Sequence, residues 1–193
     1  MALDTPTRIE TDAGRHRFPR GWSVTLALAT IAVLAVGPGP LLAGPLALAV
    51  VSAELVRTDI ESHRLPNRLV LPCYPVAIAG IALDGILTGS PPVLAVVAGS
   101  AWLGFLLLLN LGGGMGMGDV KLAGVLGLCL GSVGFIPAVA GMVLAFLFGG
   151  IAGVLVLARR VGGTQTRIPF GPFLLAGFWV ALALTGVSSG VTP

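Results

Sequence analysis

"VGPGPLLAG", residues 36–44, decides how many times this chain turns, because Gly37, Pro38, Gly39 and Pro40 cannot continue a helix. The apolar run before it, Trp22–Val36, and the one after it, Leu41–Leu55, are each short for a hydrocarbon layer about 30 Å thick. As two members of a tight hairpin they need tilt or flanking turns to cross. The basic residues decide between one span and two. With two spans and the N-terminus in the cytoplasm, all eleven Lys and Arg fall on the cytoplasmic side. Arg8, Arg15, Arg17 and Arg20 lie in the tail, and Arg57, Arg64 and Arg68 follow the second span. Lys121 follows the fourth, and Arg159, Arg160 and Arg167 follow the sixth. Merging the two runs would place the Arg-rich tail outside.

Five further apolar runs complete the chain: Leu69–Leu87, Val93–Leu109, Val120–Ile136, Ala138–Ala158 and Phe173–Val187. The expected fold is therefore an all-α, polytopic transmembrane bundle of about seven spans. It has a polar cytoplasmic tail over residues 1–20 and a membrane-embedded domain over 21–193. Composition requires the same class. Of 193 residues 55% are hydrophobic and 10% charged, with a mean hydropathy of +1.00, whereas soluble domains carry about 25% charged residues to cover their surface. A secretory signal over residues 1–36 is disfavoured, since a polar lead of about twenty residues with three acids is long for an n-region. The net charge of +3 comes from scattered Arg without interleaved aromatics, so no nucleic-acid partner is expected. Cys73 and Cys129 are far apart in an apolar context and read as buried small hydrophobes, with no metal expected. Gly141, Ala145, Gly149 and Gly153 recur every four residues, and Gly127 and Gly131 repeat that spacing; both sets read as helix-packing surfaces.

Against this background the acidic residues stand out. Asp4, Glu10 and Asp12 sit in the polar tail, but Asp59 falls where the second span reaches the cytoplasmic face and Asp119 where the fifth leaves it. Ionisable groups at membrane depth are costly and usually face the bundle interior. The third and fourth spans run out and back between them, so the two carboxyls can meet. A close pair cannot readily ionise twice and would hold one shared proton. Such a dyad can take a proton from water with one member and polarise a peptide carbonyl with the other, which is peptide-bond hydrolysis. Asp119, at a helix start where free N–H groups favour an anion, is assigned the base role. Alone, it would be an ordinary N-cap, and Asp59 a solvated interfacial charge.

Beside Asp119 stand Gly112, Gly113, Gly114, Gly116 and Gly118, which would let an unwound substrate backbone approach. Lys121 either snorkels to lipid phosphate or biases the dyad's proton, the former being preferred. Pro66 and Asn67 read as the end of one helix and the cap of the next. Gly171 begins the last helix and is a candidate for lining the cleft. Glu54 is expected to pair with Arg57 at i+3 or to contact substrate. Glu61 reads as solvated charge, Asp84 lies toward the outer end of the third span, and His16 and His63 receive no chemistry. A channel or transporter using the carboxyls to relay protons or bind a cation is the alternative, and it requires a passage continuing across the bilayer.

Three stretches resemble the bacterial type IV prepilin leader peptidases, membrane aspartyl proteases of the GxGD type. These are "GMGD" at 116–119 followed by "VKLAG", "DIESHRLPNRLVLP" at 59–72, and "IPFGPFLLAG" at 168–177. The resemblance covers roughly residues 50–180 and implies that Asp59 and Asp119 are the catalytic pair. It also implies cleavage of a basic leader from a prepilin-like, single-span substrate helix at the cytoplasmic membrane surface, in contact with lipid. Many family members carry a cytoplasmic domain with paired CxxC motifs and methylate the new N-terminus with S-adenosylmethionine. This sequence has no CxxC and no room for such a domain between the first two spans, so neither methyltransferase activity, a cofactor nor a structural zinc is expected.

Overall fold

The computed structural model describes residues 21–158 and 169–189. The polar tail, with its four Arg, three acids and His16, lies outside the described residues, as do Arg159, Arg160, Arg167 and Ile168. Within them the chain is helical: α1 (Trp22–Val36), α2 (Ala43–Ser62), the single turn α3 (Asn67–Val70), α4 (Cys73–Thr88), α5 (Val93–Leu111), α6 (Met117–Val133), α7 (Phe135–Ala158) and α8 (Gly171–Ser189). No strand occurs among the described residues. The seven long helices form a polytopic membrane bundle. Four segments, Pro40–Ser62, Asn67–Thr88, Val93–Leu111 and Phe135–Val156, are long and apolar enough to cross a bilayer, while Trp22–Val36 and Gly171–Val187 are apolar but shorter.

The hairpin at residues 36–44 forms as expected. Gly37 takes a left-handed φ of 76° and its N–H closes α1 on the Val33 carbonyl, after which a 3-10 turn at Pro40–Leu42 leads directly into α2. The boundaries expected from hydropathy differ elsewhere. The second span does not end at Leu55: α2 continues to Ser62, because Leu48, Ser52, Leu55 and Asp59 fall at 4-3-4 spacing on one buried stripe. The third span is broken at Leu71 and Pro72 into α3 and α4. Instead of starting at Val120 and Ala138, α6 and α7 start at Met117 and Phe135, separated by an extended Gly134.

The most enclosed helix is α6, buried from Asp119 to Gly131 on nearly every side, and glycine is what permits this. A Cβ on Gly127 would lie 2.8 Å from the Ala98 carbonyl oxygen and 2.9 Å from Trp102, and one on Gly131 would lie 2.6 Å from Ala98 Cβ and 2.7 Å from the Leu94 oxygen. Both face α5, so the packing role expected for this pair holds. Three members of the stripe on α7 behave likewise: Gly177 of α8 packs on the backbone of Gly141 and Ala145, and Gly149 faces the ring of Phe170. Cys73 and Cys129 are buried free thiols. Gly131→Val is expected to destabilise the bundle by about 1–3 kcal/mol, because the atoms it meets include α5 backbone that cannot rotate away. A lower midpoint of thermal unfolding in detergent measures this.

Two buried polar ties cross the bundle. Trp102 Nε1 donates to the Ala138 carbonyl at 3.1 Å, and Trp179 Nε1 of α8 donates to Ser52 Oγ of α2 at 3.1 Å, while Ser52 Oγ donates back to Leu48 O. In a medium without water such pairs fix the register of neighbouring helices.

Candidate active site

Asp59 lies one turn before the end of α2, where His63 closes the helix with a left-handed φ of 52° and donates its N–H to the Asp59 carbonyl. Its carboxyl continues the buried stripe of α2 and is only 4% exposed. The partner it meets comes from the far end of the chain: Gly171 N, the first N–H of α8, donates to Asp59 Oδ2 at 2.9 Å. A helix start has four N–H groups without intrahelical partners, and here a carboxylate takes one of them.

Asp119 occupies the same kind of position on another helix. α6 begins at Met117, so Gly116 is the N-cap and Asp119 the third helical residue rather than the ordinary N-cap it would be if read alone. From there its Oδ2 accepts the Gly116 N–H at 3.3 Å, half of a capping box. Asp119 is 8% exposed, and its Oδ1 is the single buried side-chain oxygen or nitrogen without a hydrogen-bond partner among the described residues. Gly118, next to Asp119, and Gly171, against the Asp59 carboxyl, both close on Leu65 and bring the two acids to one place. Two helix N-termini, of α6 and α8, thus converge on one acidic pair.

Leu65, which sequence reasoning missed, holds these parts together. It is buried in the linker between α2 and α3, and a Cβ on Gly118 would lie 2.8 Å from Leu65 Cβ and 3.3 Å from its N. On the other side, a Cβ on Gly171 would lie 2.8 Å from Asp59 Oδ2 and 3.3 Å from Leu65 Cδ1. Glycine at 118 and 171 is what lets α6 and α8 close on this leucine. The available signal was an apolar residue stranded in the polar run "SHRLPNR", residues 62–68.

The other candidates divide. Gly116 and Gly118 adjoin Asp119, whereas Gly112, Gly113 and Gly114 form the turn ending α5, with Gly113 at φ 77° and open space where a Cβ would stand. Lys121 Nζ donates to Asn67 Oδ1 at 3.1 Å, at an exposed position. Asn67 is correspondingly not a cap but the first residue of α3, with extended Pro66 before it at the cap position. Tyr74, the only tyrosine of the chain and also missed, seats its hydroxyl over Gly124 and donates to the Lys121 carbonyl at 2.7 Å. These bonds tie the first turns of α6 to α3 and α4. Glu54 pairs with Arg57 at 3.4 Å, and Glu61 with the same Arg at 3.8 Å, all exposed. Asp84 sits in the last turns of α4, at the other end from Cys73, with Thr88 Oγ1 on its carbonyl. No group of three or more His, Cys, Asp or Glu fit to hold a metal occurs among the described residues.

Among the described residues the buried charged side chains are Asp59 and Asp119, and a helical membrane bundle with that carboxyl pair is the class that fold and site define. The type IV leader peptidase family matches over residues 46–158, and the chain belongs to that family. It is 32% identical over 175 residues to the prepilin leader peptidase/N-methyltransferase of Aeromonas salmonicida strain A449, covering 86% of this chain and 57% of that protein. The proteins of the same name from Xanthomonas campestris pv. campestris and Pseudomonas aeruginosa are 32% and 34% identical over 126 and 128 residues. Those matches cover 63% and 64% of this chain and 43% of each relative. The chain spans about half the length of these relatives. No solved structure matches it.

Proposed function

We propose that this chain is an aspartic endopeptidase that removes the leader from prepilin-like, single-span substrates at the cytoplasmic face of the cell membrane. One observation carries the proposal: Asp119 Oδ1 is buried beside a second carboxyl with no partner of its own. Buried polar atoms are nearly always paired, and one left open against a like-charged neighbour is costly unless it binds something. A water fits that role.

In the proposed cycle Asp119 Oδ1 accepts a proton from the water as its oxygen attacks the scissile carbonyl carbon. Asp59, with Oδ2 occupied by the Gly171 N–H, carries the dyad's proton on its other oxygen and gives it to the carbonyl oxygen. The gem-diol intermediate collapses as Asp119 gives its proton to the amide nitrogen, the C–N bond breaks and Asp59 takes back a proton from one of the hydroxyls, restoring one shared proton. The converging N-termini of α6 and α8 favour the negative charge the pair must carry throughout.

The packing one to three turns deeper speaks against conduction. Leu55 and Leu48 of α2, Leu122 and Leu126 of α6, and Leu174 and Phe178 of α8 are fully buried, which favours a site open to one side only. The described basic residues Arg57, Arg64, Arg68 and Lys121 gather at the Asp59 end of the bundle, which supports the cytoplasmic side.

Co-expression with a prepilin, followed by mass measurement of the pilin N-terminus, tests the reading. The expected result is a shortened pilin with the wild-type chain and a bell-shaped pH dependence of cleavage by the purified protein, since the working dyad holds one proton. Unprocessed pilin, or a profile with a single limb, would overturn it.

A further inference from the structure

We infer that Phe170 is a positioning residue of the site: its ring, lodged against Gly149 and Phe146 of α7, fixes the start of α8 and so holds the Gly171 N–H on Asp59. The inference rests on the reading of Asp59 as catalytic. Phe170 is the residue at which α8 begins, since its carbonyl accepts the N–H groups of Phe173 at 3.0 Å and Leu174 at 3.1 Å. The next N–H along the chain is the one that Asp59 Oδ2 accepts. Where the Phe170 backbone sits therefore decides where that donor points.

The ring has little freedom. Its centroid lies 5.1 Å from that of Phe146, which lies 5.5 Å from Phe105 of α5, and 6.2 Å from that of Phe173. A chain of four aromatic rings thus runs from α5 through α7 to the mouth of α8. Gly149 completes the socket: a methyl built there would stand 2.7 Å from Phe170 Cε2 and 3.3 Å from Cδ2. The Trp179–Ser52 bond holds α8 to α2 two turns deeper, so the first turn of α8 is gripped by the ring on one side and by the carboxyl on the other. Displacing the ring moves the donor without touching either aspartate.

The test uses the full chain in lipid nanodiscs with a purified prepilin substrate, comparing wild type, Asp59→Asn, Gly149→Ala, Phe170→Leu and the double variant Gly149→Ala/Phe170→Leu. Gly149→Ala is expected to lower kcat about tenfold by misplacing the bond that orients the Asp59 carboxyl, with KM changed less than about twofold. Phe170→Leu is expected to lower kcat similarly. In the double variant the added methyl fills the space vacated by the shorter side chain, so kcat recovers above both single variants. Rescue of kcat in this way is not expected of a ring that merely adds stability. If Asp59→Asn abolishes cleavage while both single variants keep wild-type kcat, or if the two losses multiply in the double variant, this inference alone is overturned. Survival of cleavage in Asp59→Asn overturns the catalytic reading and the inference together.

Discussion

Asp119→Asn is expected to lower kcat for leader cleavage by about 10²- to 10⁴-fold, the usual worth of a positioned acid or base. The amide can still accept the Gly116 N–H through its oxygen, so α6 keeps its capping contact and the bundle its shape. What is lost is the oxygen that would take the proton of the attacking water, since an amide nitrogen offers no basic lone pair there. Asp59→Asn is expected to cost as much for the complementary reason: the Gly171 bond survives, but the acidic proton that polarises the carbonyl is gone. Because each substitution keeps the side chain's size and its buried backbone hydrogen bond, neither is expected to move Tm by more than about 4 °C. Single-turnover cleavage measured with Tm separates lost chemistry from lost fold. Cleavage within tenfold of wild type in either variant would refute the assignment.

Gly118→Val is expected to be nearly as damaging by a different route. Its Cβ would enter Leu65, 2.8 Å from Cβ and 3.3 and 3.4 Å from the backbone N and O, and a linker backbone braced by α2 and α3 cannot rotate aside. The first turn of α6 must then back away, carrying Asp119 from Asp59. A displacement near 1 Å is enough to cost about 100-fold in rate, and the overpacking itself costs about 1–3 kcal/mol. Gly118→Ala should show the same effect reduced. Gly104→Ala, whose Cβ would meet nothing within 4 Å, serves as the neutral control and should cleave at the wild-type rate.

How far the site could be read in advance depends on the range of the interaction. Asp59 was legible because it falls where the second span reaches the membrane face, and its burial could have been read too, from the 4-3-4 spacing of Leu48, Ser52, Leu55 and Asp59. Asp119 was legible for the same reason, but its place within the helix was not. Gly116 rather than Asp119 caps α6, and a glycine-rich run gives no local signal of where the first hydrogen bond closes. Lys121 and Asn67 were each given a local role, and each spends its side chain on the other across 54 residues. Tyr74 went unremarked because a tyrosine in an apolar chain carries no distinguishing chemistry until its neighbours are known, and Leu65 because its one signal, an apolar side chain within the polar run 62–68, does not say what it packs against.

The amino-acid order alone determined that this chain belongs in a bilayer, that it turns at Gly37–Pro40, and that two acids are out of place at depth. Each of these follows from composition and from backbone constraints acting within a few residues. Only the tertiary structure decided that α8 returns to give its first N–H to Asp59, that Leu65 lies between Gly118 and Gly171, and that Asp119 Oδ1 is left open. Those facts depend on contacts between segments up to 112 residues apart. Where no apolar drive separates one helix face from another, glycine notches and a few hydrogen bonds decide which faces meet.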